Sequence, residues 1–265
     1  MVGDAVGDDA LAPSGGDAQE VAARAPASVV GAGPVAHGTA MARELADAFR
    51  GHVQRALGRL SANRTMVGLD DAETSLAFVD HYLSTVRSET RAPILALIAA
   101  EAGAYYGELV CRALGGTWIG EGKDPRRLRV LMRDQFLYFS PVDQAFEVLL
   151  GRDAPDGDDD SQVDDETPSI SGLDTEFHAR RRRRPRPQRD GEAPTQGEPP
   201  DDATWLAERL AERPPIARTE YYSLTCRFET LKLVLELLAT KHLDEGRTPR
   251  EYHVADYVEA LADGG

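Results

Sequence analysis

The stretch that decides the fold runs from Ala92 to Trp118 and reads APILALIAAEAGAYYGELVCRALGGTW. Up to Leu114 it is apolar enough to be a buried helix. Pro93 is tolerated at its start, because the first helical turn has backbone N–H groups without intrahelical partners. Ala99, Gly103, Gly107 and Cys111 recur every fourth residue, which lays a column of small side chains along one side. Such a column lets another segment come close, so the spacing predicts the central helix of the domain. The same spacing dimerises helices in membranes, but Glu101, Glu108 and Arg112 argue against a lipid setting. Gly115 and Gly116 then stop the helix.

Upstream, Leu45, Phe49, Val53 and Leu57 predict an amphipathic helix over 41–60, with Arg50, His52 and Arg55 on its polar side. A second helix begins near Asp71, capped by Asp70 or Asp71, with Leu76, Val79, Leu83 and Val86 as its buried stripe. Downstream of Trp118 the period shortens. Trp118–Ile119, Leu128–Arg133 and Phe136–Phe139 read as three short strands, with Asp134 and Gln135 as the turn between the last two. Pro141 opens a helix that runs to Leu150. After residue 202 come a helix with Trp205, Leu206 and Leu210, a long helix over 219–242, and a short one over 254–261. The expected fold class is α+β and mainly helical, with helices packed on a small antiparallel sheet of about three strands.

The chain divides by composition. Residues 1–40, rich in Gly, Ala, Pro and Asp without a sustained period, are expected to be disordered. So is the insert 152–202, with its acidic runs, its arginine tract and its prolines. The long helix after the insert is too apolar to stand alone, so 41–151 and 203–262 are read as two parts of one folded domain. The formal charge of −15 is concentrated outside those parts, which disfavours nucleic-acid binding by the folded core. Two cysteines, Cys111 and Cys226, far apart in apolar helical patterns, read as reduced core thiols. The N-terminus lacks the basic start and apolar run of a secretory signal. Together these features predict a soluble, cytoplasmic, bacterial protein without a membrane partner.

Four stretches resemble a family of uncharacterised bacterial proteins: SLAFVDHYL from Ser75, GAYYGELVCRALGGTW from Gly103, FLYFSPVDQAFEVLLG from Phe136 and EYYSLTCRFETLKLVLELL from Glu220. The likeness covers about 41–151 and 203–260. It implies a shared fold and no reaction, ligand or partner.

Three groups of residues are candidates for function. Glu101, Tyr105, Glu108 and Arg112 lie on one face of the central helix at spacings of four, three and four. Paired carboxylates there could serve as acid and base if the surroundings separate their pKa values, against the plainer reading of a helical ion pair beside a core tyrosine. Arg127, Arg129 and Arg133 share the outward face of the second strand and could bind an acidic partner, or simply be solvated. The tract Arg180–Arg184, with Arg186 and Arg189, could contact nucleic acid, although the neighbouring acidic runs can neutralise it. Asp80 with His81, and His253 with Asp256, fall short of a metal-ligand set, so no metal and no cofactor are predicted. Nucleophile, phosphate-loop and dinucleotide motifs are absent. The balance is against an enzyme. The leading expectation is a non-catalytic protein that binds another protein through the sheet face and the flanking segments. The alternative is a hydrolase-like or small-ligand-binding enzyme built on Glu101, Tyr105, Glu108 and Arg112, and a weaker one is nucleic-acid contact through the arginine tract.

Overall fold

A computed structural model describes residues 33–60, 69, 72–151, 178–180, 201–214 and 216–263. Its central element is helix α3, Ala92–Val110, and the small-residue column on that helix is occupied as a close-approach surface. Gly103 faces the backbone of Pro141 and Val142, where an added Cβ would lie 2.6 Å from the Pro141 carbonyl oxygen. Gly107 faces the ring of Trp118, where a Cβ would lie 2.3 Å away. The missing side chains therefore make room for the start of α4, Pro141–Leu150, and for the tryptophan of the first strand. Helix α4 is defined at both ends by local chemistry. The Ser140 hydroxyl accepts from the Asp143 N–H at 3.3 Å, and Gly151 closes the last turn at φ 65°, a left-handed conformation that favours glycine.

Helix α1, Pro34–Leu60, runs antiparallel along α3: Gly38 lies against the backbone of Ile119 and Gly120, Phe49 against Tyr105, and His52 against Glu101. It starts earlier than the hydrophobic period indicates, so 34–40 belong to the helix rather than to a disordered N-terminus. The reason is tertiary, since the Gly120 N–H donates to the Pro34 carbonyl at 3.2 Å and Gly38 lets the two backbones meet. The rest of the expected N-terminal disorder, at 1–32, lies outside the described residues. Helix α2, Leu76–Val86, follows a short 3₁₀ turn at Glu73–Ser75 and buries Leu76, Val79 and Leu83.

After α3 the chain widens into a π turn at Cys111–Gly115 and enters the sheet. Strands β1, Gly116–Ile119, β2, Arg129–Met132, β3, Leu137–Phe139, and β4, His178–Ala179, pair antiparallel in the order β1-β2-β3-β4. Trp118 is opposite Val130, and Val130 opposite Phe139, which puts those three on the helix-facing side. The fourth strand comes from within 152–202, so that insert is not structureless throughout. His178 stacks on Tyr138 at 4.7 Å and fixes the sheet edge. Residues 152–177 and 181–200, the remainder of the expected disordered insert, lie outside the described residues.

Helices α5, Asp202–Ala211, α6, Arg218–Tyr221, α7, Leu224–Asp244, and α8, Val254–Asp263, complete the order. The long helix expected over 219–242 is broken at Tyr222 and Ser223. The Ser223 hydroxyl accepts from the Cys226 N–H at 3.1 Å, and the Asp80 carboxylate of α2 accepts from Leu224 and Thr225 at 2.6 and 3.1 Å. Phe49, Leu83, Tyr106, Phe139, Leu149, Leu206, Leu231 and Leu238 lie in one buried cluster, so both sequence blocks contribute to the same interior. A second, smaller cluster of Leu131, Phe136 and Tyr257 covers the other face of the sheet. The fold is α+β and mainly helical, with helices packed on one small antiparallel sheet.

Candidate functional site

The four polar residues of the central helix separate into two environments. Glu101 is 4 % exposed, and its carboxylate receives a 2.6 Å hydrogen bond from the Nδ1 of His52 on α1. Tyr105, one turn on, is buried under Phe49 and Arg50; the ring centroids are 5.6 Å apart and the guanidinium is 5.3 Å above the tyrosine ring. Glu108 accepts instead from the indole N–H of Trp118 at 2.9 Å, which pins β1 to α3. Arg112 stands exposed in the π turn. Glu101 and Tyr105 thus share a site with His52, whereas Glu108 serves the sheet. A two-carboxylate acid and base pair is not assembled.

Residues that the sequence placed elsewhere complete the first environment. Tyr82 of α2 packs edge-on against Phe49 at 5.7 Å. Burial pushes its phenol above the ordinary value, the Glu101 carboxylate adds to the rise, and the nearby Arg55 guanidinium opposes it. Arg55 folds back along α1, with its Nη1 3.3 Å from where a Cβ of Gly51 would be. The Tyr82 phenol thus lies within electrostatic range of the Arg55 guanidinium and of the buried Glu101 carboxylate that His52 bonds. His52 sits on the polar side of an amphipathic helix, and its partner is 49 residues away in sequence, so no local pattern marks it.

The arginines of the sheet do not form the expected basic patch. Arg127 belongs to the 3₁₀ turn Pro125–Arg127 and not to a strand. Arg129 donates to the carbonyls of Arg126 and Leu128 at 2.6 and 2.9 Å, and Arg133 pairs with Asp134 at 3.0 Å. Between them, Leu131 is buried by the C-terminal segment. There the Tyr252 N–H donates to the Arg133 carbonyl at 2.7 Å, and the Tyr257 hydroxyl, fully buried, donates toward the Met132 carbonyl at 2.6 Å and accepts from the Leu137 N–H at 3.2 Å. The sheet face expected to receive a partner is thus covered by α8 and the segment before it. Arg180 lies over the Phe136 ring at 5.5 Å, and the rest of the arginine tract falls outside the described residues.

Cys111 is held above the usual thiol range, at about 12, by burial and then by the Glu108 charge. Among the described residues, no group of three His, Cys, Asp or Glu side chains is placed to hold a metal ion. The span Ala92–Gly115 is long and apolar enough to cross a membrane by length and composition alone, and 61 % of its apolar window is buried inside the fold.

The exposed part of that span is the other notable surface. From Ala92 to Ile98 every residue is apolar and none is buried, while from Ala99 to Gly107 every residue is buried. Leu97 is 50 % exposed, and it precedes Glu101 by one turn on the same face. The apolar turns therefore adjoin the His52 site. No family model, curated protein or solved structure matches this chain.

Proposed function

We propose that the chain is a non-catalytic interaction protein that docks a protein partner on the first two turns of α3. The observation that supports this is the apolar run Ala92–Ile98, whose Ala92, Pro93, Ala96 and Leu97 are exposed among the described residues, at the end of a helix whose following turns are enclosed. Pro93 and Leu97 are one turn apart on the open side, with Ile94 and Ile98 half-buried beside them. That is the spacing with which a helix enters an apolar groove on another protein. Burying the exposed half of Leu97 would stabilise a complex by roughly 1 kcal/mol. A contiguous strip of this kind favours a partner over solvent, whereas single exposed apolar residues such as Val258 do not. The partner site thus moves from the sheet to the helix, because α8 already occupies the sheet.

Two charge-introducing variants test the proposal. Leu97→Asp and Val258→Asp both alter exposed positions and leave the folded core intact. Proteins that co-purify with the wild-type chain are expected with Val258→Asp and lost with Leu97→Asp. Equal recovery by all three, or binding to lipid vesicles in place of protein, would overturn the proposal.

A further inference from the structure

His52 differs from an ordinary surface histidine in three respects. Its Nδ1 is committed to a carboxylate that is itself buried, at 2.6 Å, which fixes the ring's orientation and places the proton on the side of Glu101. Its side chain is 43 % exposed, and among the described residues Nε2 has no hydrogen-bond partner. Arg55, three residues on and on the same helix face, makes no ion pair among the described residues. An imidazole that donates from one nitrogen to a buried carboxylate can present only its other nitrogen to an incoming electrophile. Arg55, one turn along the same helix, supplies a guanidinium, a group suited to the oxygens of an anionic group arriving at that face.

We propose that His52 is a phosphoryl-accepting residue whose Nε2 takes a phosphoryl group from a phosphoramidate-type donor, with Glu101 as its positioning residue and Arg55 binding the phosphoryl oxygens. The Nε2 lone pair attacks phosphorus, a P–N bond forms, and the donor's own P–N bond breaks with its electron pair leaving on nitrogen as ammonia or amine. The Nδ1 proton stays on the ring, and the Glu101 carboxylate balances the positive charge that the ring acquires. An open site on a helix face suits transfer between proteins, because the partner can supply the enclosing walls. The apolar turns of α3 lie one helical turn away, where such a partner would dock. The chemistry of His52 does not depend on that docking.

Potassium phosphoramidate tests the site on the purified full chain, with labelled histidines mapped by mass spectrometry. His81 and His253, also exposed, serve as references within the same molecule. His52 is expected to label at least about tenfold faster than either, a modest fraction of what positioned acid–base assistance can give. The adduct should be acid-labile, and its phosphorus NMR signal should be that of an Nε2-linked phosphohistidine. Glu101→Gln, which keeps an acceptor but removes the charge, and Arg55→Gln, on the surface, should each bring His52 down toward the reference rate. Labelling of His52 at the rate of His81 and His253, or unchanged rates in both variants, would overturn the proposal. The labelling reaction uses the purified chain without a partner, and Val258→Asp, on α8, should label normally, so failure of partner docking is distinguishable from failure of this chemistry.

Discussion

Gly103 and Gly107 determine how closely the rest of the molecule can approach α3. At Gly103 the obstacle to a methyl group is backbone, at 2.6 Å, and backbone at the capped start of a helix cannot swing aside. At Gly107 it is a tryptophan ring held by Glu108. Gly103→Ala and Gly107→Ala should each destabilise the fold by about 1–3 kcal/mol or more, read as a lower midpoint in urea unfolding. A loss below about 0.5 kcal/mol at both would mean that α4 and Trp118 are not seated there. Cys111 provides a second check at this scale. With its thiol pushed up to about 12, it should resist iodoacetamide at pH 8 in the native protein and react after denaturation, as peptide mapping would show. The column of small residues was legible because its meaning is local and periodic. His52 was not, because its role depends on a carboxylate that only folding brings within reach.

The elements show the same division between local and tertiary signals. Helix α4 coincides with its sequence boundaries because Ser140, Pro141 and Gly151 are all end signals that act within a few residues. The break between α6 and α7 left no trace in the apolar period, which continues through Tyr222 and into Phe228, since one of its caps, Asp80, arrives from α2. The sheet's outer face was misread for a related reason. Arg129 and Arg133 suggested solvent, and the one contrary sign was Leu131 between them, an apolar residue on a supposedly wet face. Its cover is Tyr257, which stacks on Phe136 at 4.4 Å and bonds the backbone around the β2–β3 turn. Tyr257→Phe should keep the stacking and lose those bonds, costing about 1–3 kcal/mol with little change in helical circular dichroism. An unchanged unfolding midpoint would show that the C-terminal segment is not anchored by this hydroxyl.

In the whole molecule, charge joins the late helices. Asp202, at the start of α5, is buried against Lys241 at 2.6 Å and His242 at 3.2 Å, both near the end of α7. Burial alone would raise the Asp202 carboxyl, but hydrogen bonds from Lys241 and His242 outweigh it and hold the group below the ordinary 3.8. A depressed folded value means that the stabilisation is complete above that ordinary value and is lost as the pH falls below it. Asp202→Ala should therefore cost about 3 kcal/mol at pH 7, since among the described residues Lys241 would stay buried with Glu245 as its remaining carboxylate partner, and the gap should narrow in acid. A gap that widens toward low pH would contradict this sign. Composition and period made the mainly helical α+β class readable, whereas the covering of the sheet and the exposed side of the first turns of α3, as seen among the described residues, are properties of the assembled whole. Those turns carry the functional proposal, and a photo-crosslinking residue placed at position 97 in cells tests it most directly. A discrete protein adduct at 97 that is absent from position 258 is the predicted result. No adduct, or the same adducts at both positions, would contradict it.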